Sequence, residues 1–277
     1  MSGSWTVQDA ARVLRRPTAP DDKYSRGVLG IRTGSDQYPG AAVLGVEAAW
    51  RTGLGMVRYL GPSVPTSLVL QRRPETVTAD GRVQAWLIGS GTDAASRSDA
   101  ETGALRSILA APLPVVVDAG ALDLAPNSTA PRIVTPHDRE HTRLRAGLGL
   151  AEARPTTDAE RAASAIETAA ALGATVVLKG AVTIVASPSG WATTVSAGTP
   201  WLATAGTGDV LAGAIGAVVA GAAPDADLAH LAATGVWLHG RAASLAAADL
   251  GADGGPITAL DVAGALPRAV AEALEAR

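Results

Sequence analysis

The 277-residue sequence contains no cysteine and no phenylalanine. Without cysteine there is no disulfide, no thiolate metal site and no thiol nucleophile. Lysine is almost missing too. Of 23 basic residues only Lys23 and Lys179 are lysines, and Asn127 is the single asparagine. Phe, Lys and Asn share AT-rich codons, so a GC-rich genome that places Arg wherever a site tolerates it explains the bias. The two surviving lysines then become positions to inspect, because a compact ammonium and a forked guanidinium differ in chemistry. Charge is sparse as well, at 18% of residues with a net of −3. That balance argues against nucleic acid or an anionic membrane surface as the main partner. The N-terminus lacks the apolar core of a signal peptide. The most apolar run, VLAGAIGAVVAGAA (210–223), is shorter than the roughly 20 residues a membrane span needs. A soluble, cytoplasmic protein is expected. No G-x-x-x-x-G-K-[ST], H-E-x-x-H or G-x-S-x-G occurs, so Walker A binding, zinc hydrolysis and Ser-His-Asp catalysis have no support.

What is present is a regular alternation. Apolar residues make up 47% of the chain, which is ample for a core and excludes global disorder. Short β-branched runs at 27–34, 56–61, 85–91, 113–120, 131–137 and 174–180 alternate with Ala/Leu-rich runs at 39–53, 97–110 and 158–173. The first helical run opens after Pro39 and closes at Gly53, and the third closes at Gly173; proline near the start and glycine at the stop are helix punctuation. Runs 182–187 and 191–196 form a hairpin across SPSG, and helices are expected within 198–221, across 225–248 and at the C-terminus. Strands alternating with helices of 10–15 residues imply βαβ units and a mostly parallel sheet covered on both faces. The fold class is α/β, a single three-layer α/β/α domain across 1–277, with 1–22 an N-terminal extension. In such folds ligands lie beyond the C-terminal ends of the strands.

The strongest local signal is Ala205-Gly206-Thr207-Gly208-Asp209-Val210-Leu211. Small residues let backbone N–H groups converge, and the helix that follows adds the positive end of its dipole. The result suits a phosphate or a developing oxyanion. Asp209 either caps that helix or works as a general base beside the anion site. Lys179-Gly180-Ala181-Val182-Thr183 closes one strand and opens the next: a turn with a solvated lysine, or a nucleotide wall. His137 and Asp118 stand at strand ends, where a structural role and a ligand contact compete. Gly89-Ser90-Gly91-Thr92-Asp93-Ala94 fits G-x-G-x-x-A after a strand, but it comes mid-chain. A tight glycine turn near a ligand is the better reading than a dinucleotide fingerprint. His141, His230 and His239 lie on helix faces with no evident role.

Taken in order, KYSRGVLGIRTGSDQYPGAAVLGVEAAWRTGLGMVRYL (23–60), AWLIGSG (85–91), VVVDAGAL (115–122), IVTPHDRE (133–140), VVLKGAVTIVASPSG (176–190) and TPWLATAGTGDVLAGAIGAVVAG (199–221) resemble the ADP/ATP-dependent NAD(P)H-hydrate dehydratase family. The resemblance runs from about residue 23 to the C-terminus and implies a ribokinase-like fold. It implies ADP- or ATP-dependent dehydration of the S epimer of NADHX or NADPHX, with phosphorylation of the ring hydroxyl followed by loss of phosphate. Asp209 matches the family's catalytic base. Gly206, Thr207 and Gly208 match the loop that holds the transferring phosphoryl group, and Lys179, Gly180, Ala181, Val182 and Thr183 the segment lining the adenine nucleotide. Ala41, Gly91, His137 and Asp209 match positions that contact the hydrate.

Mg²⁺ bridging the nucleotide phosphates is expected of phosphoryl transfer in general; its ligands are not legible, with Asp118 and Glu140 the candidates. Asp138 and Arg139 stand where the family commonly has Pro-Gly, Thr199 stands near a common Asn, and Lys23-Tyr24-Ser25-Arg26-Gly27 is an altered opening. Only residues 1–22 precede Lys23, so no epimerase domain is expected and a separate NAD(P)HX epimerase would act in the same pathway. The resemblance also implies a homo-oligomer, a tetramer being one form. Two other readings compete: a kinase of the same fold acting on a vitamin-precursor alcohol, and a nucleotide-binding protein without catalysis.

Overall fold

A computed structural model describes residues 3–277. The eight strands are β1 (Val28–Arg32), β2 (Met56–Tyr59), β3 (Ala85–Ile88), β4 (Val115–Val117), β5 (Arg132–Val134), β6 (Thr175–Leu178), β7 (Thr183–Ala186) and β8 (Ala192–Val195). They form one sheet in the order β2-β1-β3-β4-β5-β6-β7-β8. Every pairing from β2 to β6 is parallel, and β6-β7 and β7-β8 are antiparallel. The expected mostly parallel sheet and terminal hairpin are both present.

Nine α-helices are described: α1 (Val7–Val13), α2 (Gly40–Thr52), α3 (Ser63–Arg72), α4 (Asp99–Ala110), α5 (Asp138–Gly147), α6 (Asp158–Leu172), α7 (Thr207–Ala220), α8 (Leu228–Ala248) and α9 (Ala259–Glu275). Gly53 and Gly173 end α2 and α6 in the left-handed conformation, as their positions in the sequence predict. None of the helices among the described residues is long and apolar enough to cross a membrane.

The strands are apolar throughout because both faces are covered. Successive side chains of β4 serve opposite layers. Val116 packs into the core built by α2, α7, α8 and α9. Val115 and Val117 pack into the core built by α4, α5 and α6. The five strands β1, β3, β4, β5 and β6 run parallel, so their C-terminal ends open on one edge. There the chain continues as Thr33-Gly34, Gly89-Ser90-Gly91, Asp118, Thr135-Pro136-His137 and Lys179. The N-terminus of α7 arrives at the same edge.

Candidate active site

Gly206 is the N-cap of α7 and has φ +86°, a conformation open mainly to glycine. A Cβ there would also lie 2.5 Å from Leu44 Cδ1. The Thr207 hydroxyl donates to the Leu202 and Thr204 carbonyls at 3.1 and 2.9 Å, fixing the loop ahead of the helix. Asp209, two residues later, is half-buried. Among the described residues no group donates a hydrogen bond to its carboxylate, so the capping reading does not hold. Burial, and then the anionic charge of Asp118, push its pKa up to about 7, against the pull of Lys179. A carboxylate with that proton affinity beside a helix N-terminus suits a general base.

Asp118 ends β4 and is 3% exposed. Its Oδ1 accepts from Thr135 Oγ1 at 2.6 Å and Lys179 Nζ at 3.0 Å, and its Oδ2 accepts from Ser90 Oγ at 2.8 Å. Burial works against its ionisation, but the Lys179 charge and these three donors hold its pKa below the usual carboxylate value. Burial likewise opposes the charged form of Lys179, and the charges of Asp118 and Glu140 outweigh it. The next residue, Ala119, takes φ +44°, so the chain turns under strain immediately after Asp118.

Glu140 lies 3.8 Å from Lys179 Nζ and accepts from the His137 backbone N–H at 2.8 Å. His137 Nδ1 in turn accepts from the Arg139 and Glu140 N–H groups at 3.1 and 3.2 Å. Together they form a capping box on α5. Both metal candidates are already engaged, Asp118 by three donors and Glu140 through Oε2 in the cap. No cluster of three or more His, Cys, Asp or Glu suited to a metal ion occurs among the described residues.

Lys179, Gly180, Ala181, Thr183, Thr207, Gly208 and His137 line one cleft of about 720 Å³, together with Thr199 and Asp138. Val182 and Gly206 are not on its wall. The Val182 carbonyl is held instead by Arg161 Nη1 at 2.8 Å, while Arg161 Nη2 holds the Lys179 carbonyl at 3.0 Å. Asp138 lies 3.3 Å from the same guanidinium. Ala41 and Gly91 meet each other at the β1 and β3 ends. A Cβ on Gly91 would fall 2.4 Å from the Ala41 Cβ, and Gly34 N–H donates to the Ser90 carbonyl at 2.7 Å.

Several contributors carry no motif. Ser90, Thr135 and Arg161 act across the sheet, and nothing local in the sequence announces that. His239 lines the cleft from α8. Burial and the Lys179 charge lower its pKa to about 4, so the ring is neutral, and its Nε2 is buried with no hydrogen-bond partner among the described residues.

A family model described as NAD(P)H-hydrate dehydratase matches residues 29–267. The bifunctional NAD(P)H-hydrate repair enzyme Nnr of Mycobacterium leprae is 42% identical over 263 residues, covering 91% of this chain and 52% of that protein. The chain thus spans about half the length of this relative. The ADP-dependent (S)-NAD(P)H-hydrate dehydratase of Neisseria meningitidis is 36% identical over 253 residues, covering 84% of this chain and 81% of the relative. Among solved structures, the ADP/ATP-dependent NAD(P)H-hydrate dehydratase from Bacillus subtilis, co-crystallized with ATP/Mg²⁺, superposes with a TM-score of 0.83. It is 30% identical and covers 96% of this chain and 97% of that one.

Proposed function

The chain belongs to the NAD(P)H-hydrate dehydratase family and has its ribokinase-like fold, and from that premise we propose that it dehydrates the S epimer of NAD(P)HX to NAD(P)H with ADP or ATP as phosphoryl donor. The observation that carries this reading is Asp209: a half-buried carboxylate in the first turn of α7, with no hydrogen-bonded partner among the described residues, poised near neutrality and within the field of the Lys179 ammonium. Asp209 takes the proton of the ring hydroxyl as its oxygen attacks the terminal phosphorus. The nucleotide leaves as ADP from ATP, or as AMP from ADP. The amides of Gly206, Thr207 and Gly208 face the developing charge on the phosphoryl oxygens. Hydroxide is a poor leaving group and phosphate a good one. The ring-nitrogen lone pair then expels phosphate, and loss of a proton from the adjacent carbon restores the reduced nicotinamide.

The cleft lined by Lys179, Gly180, Ala181 and Thr183 takes the adenine nucleotide. Ala41, Gly91 and His137 face the hydrate. Mg²⁺ fits this site as an ion held by nucleotide phosphates and water, where it would neutralise phosphate charge. Homo-oligomerisation, a cytoplasmic setting and an epimerase activity supplying the S epimer belong to the same proposal. Exposed Val64, Leu68 and Leu260 support the first, which light scattering tests.

The test is incubation with NADHX, Mg²⁺ and either ADP or ATP, following reduced-nicotinamide absorbance and free phosphate. Both should appear together. A stable phosphorylated alcohol without phosphate release would instead identify a small-molecule kinase, and no nucleotide consumption a non-catalytic binder. Asp209→Asn should lower turnover by about 10²–10⁴-fold, the range for loss of a general base, with nucleotide Kd within a few-fold of wild type.

A further inference from the structure

Four ionisable groups meet at one edge of the sheet from four different elements. Asp118 comes from the end of β4, Lys179 from β6, Glu140 from α5 and Asp209 from α7. Asp118 is the most heavily hydrogen-bonded of the four: Ser90, Thr135 and Lys179 arrive from three strand ends and all donate to it. A carboxylate held by three donors and 3% exposed is a fixed charge, and it fixes what it binds. What it binds is the Lys179 ammonium, which approaches the first turn of α7 closely. A Cβ on Gly208 would lie 3.9 Å from Nζ.

We propose that Asp118 is a positioning residue of this site: held in turn by Ser90 and Thr135, it pins the Lys179 ammonium beside Gly208 of the phosphoryl loop. With Lys179 placed there, the two opposite charges of the pair both act on Asp209. The inference rests on Asp209 being the base. Asp118 acts through its charge and through Lys179 and does not touch the substrate.

The surroundings of Asp209 leave few competing charges. Asp118 and Lys179 are the two that act on it. Glu140 reaches Lys179 at 3.8 Å. From α8 the facing group is His239, held neutral by burial and by Lys179. From α2 and α9 the neighbours of the Gly206–Asp209 turn are Leu44, Gly45 and Ala259, which carry no charge. An anion raises a neighbouring carboxyl's proton affinity and a cation lowers it. Removing each partner therefore has opposite consequences.

The experiment is the pH profile of kcat/KM for NADHX dehydration in the full chain. In Asp118→Asn the acidic limb should move to lower pH by about one unit. In Lys179→Met it should move to higher pH by a similar amount, with a weaker nucleotide Kd. In Lys179→Arg, which keeps the cation, the limb should stay in place while kcat falls. A site in which Asp118 only supports the fold would lose activity without these opposed movements. Shifts of the same sign, or no shift in either charge-removing variant, would overturn the proposal. If Asp118→Asn does not fold, Asp118→Ser takes its place, with the same downward movement of the limb expected. The outcome is separable from the parent reading. A wild-type chain that does not restore NADH refutes the function, whereas an active wild type with unmoved limbs refutes only the positioning role.

Discussion

A carboxylate that must accept a proton at neutral pH needs a pKa near neutrality, and an ordinary aspartate is too weak a base. Asp209 reaches about 7 because it is buried beside the Asp118 anion. As the base must be ionised, kcat/KM should fall as pH drops through about 7, with an acidic limb that Asp209→Asn abolishes along with turnover. The same shift bears on stability. The folded pKa stands above the unfolded value of 3.8. The group's contribution is therefore fully present below that value and is lost as pH rises through the folded one. Asp209→Asn should consequently unfold above wild type by roughly a few degrees near pH ~8, with the gap closing below pH ~4. Thermal melts of both proteins across that range check it. A difference independent of pH would mean that ionisation of Asp209 costs the fold nothing.

At the scale of elements, α5 shows how a proposed binding residue can also be a structural one. His137 lines the cleft and its ring Nδ1 caps the helix. Asparagine keeps a capping acceptor and histidine's ring is lost, so the two functions can be separated. His137→Ala should cost about 1 kcal/mol of stability and raise KM for the hydrate. His137→Asn should recover most of the stability in urea titration and leave KM raised. Equal KM for Asn and wild type would remove His137 from the substrate site. The elements differ in how far the sequence discloses them. Strands such as PVVVD and RIVTP announce themselves because both faces are buried and the run stops at Asp, Pro or Gly. Helices α1, α3 and α5 are not delimited by the pattern. Each buries few residues, Ala10 and Ala11 in α1 and Pro65 and Val69 in α3, so the apolar period is faint. The site divides in the same way. Asp209 is contiguous with the glycine loop, and Lys179 stands out as one of only two lysines, so all three are legible in the sequence. The Ser90–Asp118–Thr135–Lys179 contacts join four strand ends, and only the strand order brings them together. Glu140, a metal candidate on residue type alone, turns out to be a cap because its place in α5 was invisible.

The whole molecule has to close both edges of an eight-stranded sheet, since a free edge offers unpaired N–H and C=O groups to another chain. At the β2 edge Val77 does this, accepting from Tyr59 N–H at 2.9 Å and donating to the Val57 carbonyl at 3.0 Å. At the β8 edge the N-terminal segment does it. Ser4 bridges Thr194 in parallel, and Trp5 N–H donates to the Thr194 carbonyl at 2.8 Å. The Trp5 ring anchors that pairing against Trp191, edge-on at 5.9 Å, and His230 at 5.2 Å. The segment that appears in sequence as a mere extension therefore protects the sheet. Trp5→Ala removes the anchor while leaving the backbone able to pair. It should cost about 2–3 kcal/mol, below the full-core range because the ring stays partly exposed. Trp5 and the two rings it packs on, Trp191 and His230, do not line the proposed active-site cleft, so kcat at low temperature should be unchanged. Heating should then separate the two proteins. The variant should lose activity irreversibly at a lower temperature, with light scattering rising as the β8 edge is freed. Reversible melting at a lower Tm without scattering would show that the N-terminal segment stabilises the fold without guarding the edge.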